Sequence, residues 1–125
     1  MIDHVTIPVK DLKQSRSFYE KAFIPLGYKL SFGKEGSFWA FDVGGDSLFE
    51  ISQYQGKSPL TSVHVAFRVL DAKTIEAFFK AAIEAGAKSN GAPGFRPQYA
   101  QGYYACFIYD PNGHNIEAMC NKIYK

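Results

Sequence analysis

The chain repeats itself, and the repeat limits its fold more than any single motif does. Laying His4 on His64 brings Val5 onto Val65, Val9 onto Val69, Asp11 onto Asp71, Lys13 onto Lys73, Phe18 onto Phe78 and Ala22 onto Ala82. Dropping one residue then puts Gly27 on Gly86 and Lys29 on Lys88, and the halves end alike, with Leu48-Phe49-Glu50-Ile51 on Asn115-Ile116-Glu117-Ala118. Each half therefore opens on a histidine and closes on a glutamate. A chain of 125 residues with 46% hydrophobic and 16% aromatic content has room for one well-packed core, so the halves are expected to be modules of a single domain.

The local patterns give each module the same order of elements. In His4-Val5-Thr6-Ile7-Pro8-Val9 the aliphatic residues alternate, which predicts a half-buried strand with His4 and Thr6 on its other face. Asp11 suits a helix N-cap, and Leu12, Ser15, Tyr19, Ala22, Phe23 and Leu26 form one helical stripe before Gly27. Three short strands follow at Tyr28 to Phe32, Phe38 to Val43 and Ser47 to Tyr54, separated by glycine-containing turns. Residues 1–54 thus read as β-α-β-β-β, and the polar stretch 55–61 as the linker to a second module at 62–120.

In that second module Val63, Val65, Phe67 and Val69 face inward, and Asp71 caps a helix carrying Ile75, Phe78, Phe79, Ala82 and Ile83 and ending at Gly86. Asn90 to Pro97 is too rich in Gly and Pro for a central strand and is expected to be a functional loop or an edge segment. Tyr103 to Tyr109 and His114 to Cys120 read as strands joined by the turn Asp110-Pro111-Asn112-Gly113, with a short polar tail at 121–125. The expected fold is α+β: two repeated β-α-β-β-β modules forming a curved mixed sheet with the helices outside.

Charge and cysteine content exclude several functions. The net charge of +2 comes from scattered residues, without the basic run that nucleic acid or an anionic membrane would need. No stretch approaches a membrane span, and Met-Ile-Asp-His-Val-Thr leads straight into patterned sequence, so a cytoplasmic protein is expected. Cys106 and Cys120 are too few for a disulfide scaffold and have no CxxC spacing, which predicts two free thiols packed as small hydrophobes.

The repeat-related polar residues carry the chemistry. If the two modules share a concave face, it receives His4 and His64 from the opening strands and Glu50 and Glu117 from the closing ones. Two imidazoles and two carboxylates make an N2O2 set for one divalent ion, with positions left for water or substrate. Such a set accepts nickel, cobalt, zinc, manganese or iron. Either glutamate, flanked by apolar residues, would be costly to bury unpaired; the bland reading is that both face solvent on the open side of a sheet.

His-Val-Thr-Ile-Pro-Val-Lys-Asp-Leu from residue 4, then Ser17-Phe18-Tyr19 and Leu26-Gly27-Tyr28, together with Asp110-Pro111-Asn112-Gly113-His114-Asn115-Ile116-Glu117, resembles the vicinal oxygen chelate superfamily. That group includes glyoxalase I, fosfomycin-resistance proteins, extradiol dioxygenases and bleomycin-resistance proteins. The resemblance implies paired modules around a divalent metal, with His4, His64 and Glu117 at the usual ligand positions and Glu50 at the fourth position of glyoxalase-type members. It also implies a homodimer that can assemble each site from two chains. The closest analogy is a lyase or isomerase in which Glu117 or Glu50 removes a proton beside a carbonyl of a small, oxygen-rich substrate. An extradiol-type dioxygenase and a metal-free binding protein of the bleomycin-resistance kind are the alternatives.

Further residues are candidates for substrate binding. Arg96 lies beside Phe95 and Tyr99, where it could meet an anionic substrate. Trp39, Phe41, Tyr103, Phe107 and Tyr109 could line an apolar pocket. His114, three residues before Glu117, is expected to be a surface histidine.

Overall fold

The structure, a computed structural model, describes residues 2–121. Strand β1 (His4–Val9) leads into helix α1 (Leu12–Ala22), a 3-10 turn (Ile24–Leu26) and strands β2 (Lys29–Lys34), β3 (Phe38–Asp42) and β4 (Leu48–Gln53). The order recurs in β5 (His64–Arg68), α2 (Ala72–Glu84), β6 (Lys88–Phe95), β7 (Tyr103–Tyr109) and β8 (Asn115–Asn121). Each module closes a four-stranded mixed sheet, ordered β1-β4-β3-β2 and β5-β8-β7-β6. In each, the opening strand runs parallel to the closing one and the other pairings are antiparallel. The result is the α+β arrangement of two β-α-β-β-β modules that the repeat predicts. Residues 54–63 form no helix or strand, Asn121 ends β8, and the rest of the expected tail, 122–125, lies outside the described residues.

Side chains at the predicted positions start both helices. Asp11 accepts a bond from Gln14 N at 3.1 Å, and Asp71 accepts from Thr74 N at 2.9 Å and Thr74 Oγ1 at 2.8 Å. Each satisfies a backbone donor that the first turn leaves without a partner. Asp11→Ala and Asp71→Ala are each expected to cost about 1 kcal/mol, read as a lower urea midpoint with an unchanged slope. Helix α1 stops at Ala22, earlier than Gly27, because Pro25 has no N–H to continue the helical bonding. The chain tightens into the 3-10 turn instead, and Gly27 ends it at φ +73°, in the left-handed region.

The Gly and Pro segment is an edge strand. Among the described residues β6 pairs with β7 alone, and it shifts register between Ser89 and Gly91 and again between Gly91 and Gly94. Bulges of this kind blunt an exposed edge, where Pro93 costs no ladder bond from a second neighbour.

One apolar core spans both modules. Phe23, fully buried after α1, meets Tyr19, Phe41 and Phe49 of its own module with ring centroids 5.0, 5.3 and 5.6 Å away. Phe67 of β5 enters the same cluster, 5.5 Å from Phe23 and 5.4 Å from Phe49. Helix α1 and the 3-10 turn also pack on α2. Phe41, considered above for a pocket wall, is therefore a core residue.

The turn before β8 fastens the modules together with polar bonds. Asp110, which is buried, accepts from Tyr19 Oη at 2.6 Å and from the backbone of Asn112 and His114 at 2.8 and 2.9 Å. Asn112 reaches Lys10 N at 2.8 Å and Ser15 Oγ at 3.1 Å. His114 is fully buried, which corrects the expectation of a surface histidine. Strand alternation turns it away from Glu117 as expected, but that direction leads to module one rather than to solvent. Its Nε2 donates to Pro8 O at 2.7 Å and its Nδ1 accepts from Val63 N at 3.1 Å, which places the proton on Nε2. Burial, followed by the nearby Asp110 charge, raises the Tyr19 phenol well above its ordinary range, so it remains a donor. Both cysteines are free and buried, and burial pushes the Cys106 thiol up to about 12. Among the described residues no helix is long and apolar enough to cross a membrane.

Candidate functional site

Register decides which side chains share a face. In module two Ala66 of β5 and Phe107 of β7 flank Glu117 of β8. The period of two then puts His64 on the same face as Glu117, along with Tyr103, Ala105 and Met119. The contacts agree: Ala105, Phe107 and Met119 form a small apolar cluster with Tyr103 against it, separate from the main core.

Glu117 is only 4% exposed, and both of its carboxylate oxygens are bonded. His64 Nε2 donates to Oε1 at 2.9 Å, and the Tyr103 hydroxyl makes a short bond to Oε2. Two donors make burial of this carboxylate tolerable. Burial first, and then the bond to Glu117, push the Tyr103 phenol up to about 12, so it keeps the proton it donates. The His64 ring lies 6.2 Å from Phe107 at an interplanar angle of 27°. Tyr99 packs edge-on against Tyr103 at 5.4 Å and Phe107 at 6.4 Å, and the Arg96 guanidinium sits 5.5 Å from the Phe107 centroid.

Module one has the same layout with a looser carboxylate. Glu50 lies between Thr6 of β1 and Ala40 of β3 in the register. It is half-buried and accepts from Thr6 Oγ1 at 3.2 Å. Thr6 has Ala66 as its counterpart, and among the described residues no phenol like that of Tyr103 bonds to Glu50. His4 Nδ1 donates to Asp3 Oδ1 at 2.7 Å; that bond, and then the charge of Glu50, raise the His4 imidazole above its ordinary value.

Each histidine therefore has the repeat-related glutamate of its own module nearby, but the four residues do not converge within the chain. Among the described residues no group of three or more His, Cys, Asp or Glu side chains could hold a metal ion. The convergence expected on one concave face is thus replaced by two half-sets, because each pair is built by a β1–β4 or β5–β8 ladder inside its own module. The chemistry of each half-set, one imidazole and one carboxylate, fits half of an N2O2 site.

Trp39 is not brought to either pair. It sits opposite Ile51 on the helix-facing side of its sheet, packs against the core and carries the Arg16 guanidinium 4.1 Å above its ring. Alternation separates it from Glu50, whose partner on β3 is its neighbour Ala40. Tyr109 lines a cleft of about 620 Å³ with Gln14, Phe18 and Lys88, which contains none of the four histidine and glutamate candidates. Thr6 and Asp3 are additional residues of the module-one pair. Thr6 was detectable two positions after His4 on the polar face of β1, whereas the Asp3 bond has no periodic signal.

Comparisons with known proteins give the same architecture. A family model described as the glyoxalase/bleomycin resistance protein/dioxygenase superfamily matches residues 1–118. A glyoxalase/bleomycin resistance protein from Albidiferax ferrireducens T118 superposes with a TM-score of 0.84 at 26% identity, covering 96% of this chain and 98% of that one. A glyoxalase-related enzyme from Fulvimarina pelagi gives 0.79 at 18% identity, over 100% of this chain and 91% of that one. A lactoylglutathione lyase from Agrobacterium tumefaciens gives 0.74 at 17%, over 99% and 96%; likeness at such low identity concerns the fold alone. No curated protein matches the chain. Since the family match runs from β1 into β8 and includes both histidine-glutamate pairs, the chain belongs to the glyoxalase/bleomycin resistance protein/dioxygenase superfamily.

Proposed function

We propose that the protein is a divalent-metal-dependent lyase or isomerase of glyoxalase type, acting on a small oxygen-rich molecule as a homodimer. The observation that carries this reading is the duplicated imidazole-carboxylate pair. His4 with Glu50 and His64 with Glu117 would each supply half of the ligand set, and a second copy of the chain would complete it. Bound there, a divalent ion supplies Lewis-acid polarisation of a substrate carbonyl.

The environments of the two glutamates divide their roles. Glu117 is fixed by His64 and Tyr103 on opposite oxygens and acts as an anchor. Glu50, half-exposed and bonded by one hydroxyl, has an oxygen available to take a proton from carbon beside a carbonyl. The buried Phe107 ring and the Tyr103 ring packed in the same cluster cover the Glu117 side and lower the local dielectric.

Metal analysis of protein purified without added metal tests the reading. Wild-type protein is expected to retain a divalent ion, and His64→Ala and His4→Ala are expected to lose it. Absence of an ion from the wild type after incubation with nickel, cobalt, zinc, manganese and iron(II) would leave the metal-free binding protein as the better account. Mixing the two variants then tests the shared site. A dimer of one His4→Ala and one His64→Ala chain contains one intact pairing of module one with module two, so metal binding is expected to return in part. No return on mixing, with dimers present, would place both halves of the site in one chain. A substrate screen of metal-loaded protein with α-keto aldehyde adducts, epoxides and catechols distinguishes isomerase from dioxygenase chemistry.

A further inference from the structure

Among the described residues, the cation beside the Glu117 face has no counterion. Arg96 follows the edge strand β6 and is half-buried. Its Nη2 donates to Ala92 O at 2.7 Å, and its Nη1 makes a longer contact of 3.4 Å to Phe95 O. Among the described residues no carboxylate lies within ion-pair distance of it, whereas Arg16 has Glu20 at 3.1 Å. A guanidinium has five N–H donors, so two carbonyl contacts leave most of the fork for another acceptor. The loop carbonyls fix the fork in position and carry no charge to neutralise it.

The strand is shaped around this arginine. A Cβ on Gly91 would come within 3.1 Å of Arg96 Nη2 and of Phe107 Cδ1, so the bulge provides the space in which guanidinium and ring lie together. Phe107 in turn adjoins His64, so cation and imidazole flank the same ring. Tyr99, also beside that ring, is exposed and presents a further aromatic edge. A half-buried cation preorganised beside an aromatic wall recognises an oxyanion attached to a flat, unsaturated body.

Building on the proposed use of the His64–Glu117 pair as half of a metal site for a small oxygen-rich substrate, we infer that Arg96, which shares the Phe107 ring with His64, selects substrates carrying a carboxylate or phosphonate on such a body. Binding of three ring compounds tests this: benzoate and phenylphosphonate, which are anionic, and benzamide, which is neutral and similar in shape to benzoate. Titrations followed by amide chemical shifts are expected to show benzoate or phenylphosphonate binding at least about tenfold tighter than benzamide, with shifts at Arg96, Tyr99 and Phe107. Arg96→Gln is expected to remove the preference, and Arg96→Lys to keep part of it, since lysine keeps the charge but not the fork.

Equal binding of anionic and neutral probes, no binding of either anion, or an unchanged preference in Arg96→Gln would overturn the inference. Metal content of the same variants separates it from the functional reading. Anion preference in a protein that binds no metal keeps the substrate class and discards the metalloenzyme; metal binding without anion preference does the reverse. The urea midpoint of Arg96→Gln confirms that a lost preference is not a lost fold.

Discussion

Asp110→Ala is expected to lose about 3–5 kcal/mol of stability, a large share of the roughly 5–15 kcal/mol typical of a domain. The carboxylate accepts three bonds, and its removal leaves the buried Tyr19 hydroxyl and two backbone N–H groups without that acceptor. Bonds to a charged acceptor are worth about 1.5–3 kcal/mol each but are not additive here, because Tyr19, Asn112 and His114 all depend on one group. Two variants separate the contributions. Tyr19→Phe removes only the bond across the modules and should cost about 1.5–3 kcal/mol. Asp110→Asn keeps one carbonyl oxygen and should fall below the alanine variant in cost. Urea midpoints measure all three, and a Tyr19→Phe/Asp110→Ala double mutant close to Asp110→Ala alone would show that the bonds act as a unit. A midpoint unchanged by Asp110→Ala would mean that the bonds to Asp110 contribute nothing to joining the modules.

The second large effect belongs to that core. Phe23→Ala is expected to cost about 3–5 kcal/mol, the transfer free energy of a phenyl ring plus the cavity it leaves. Collapse of the cavity is hindered because its walls belong to both modules: Tyr19, Tyr28, Phe41 and Phe49 on one side and Phe67 on the other. Ile24→Ala is the matched control, since Ile24 is 72% exposed and its truncation should stay within about 0.5 kcal/mol. A difference in urea midpoint of less than the equivalent of about 1 kcal/mol between the two variants would contradict the shared-core description. A separate early transition in Phe23→Ala would locate the weakness at the module boundary.

Much of the fold was readable because its signals are local. The β1 bounds follow from strict alternation, and both N-caps from an aspartate placed before an apolar stripe. That each half carries one histidine and one glutamate was readable from the repeat, whereas their grouping by module depends on the parallel pairing of opening and closing strands, with Glu50 opposite Thr6 and Glu117 opposite Ala66. What failed to show depends on how the modules lie against each other. Alternation correctly turned His114 away from Glu117, but could not tell that the far side is covered by Pro8 and Val63. It likewise separated Trp39 from Ala40 without saying which face of the sheet the helix would take. The separation of the two half-sets has the same origin: a repeat fixes what each module contains, not which module it meets. Tyr103 was noticed as an aromatic wall, and its hydroxyl bond to Glu117 required the register of β7 on β8.

The Asp110 turn gives the duplication a direction. Its counterpart in module one, Gly44-Gly45-Asp46, precedes a serine whose hydroxyl bonds to Ile2 O within the same module. The fastening is thus made by a tongue on the second half and a socket on the first, in Tyr19, Ser15, Lys10 and Pro8. Two copies of the first half would present two sockets and no tongue, so the internal repeat does not let the halves stand in for one another.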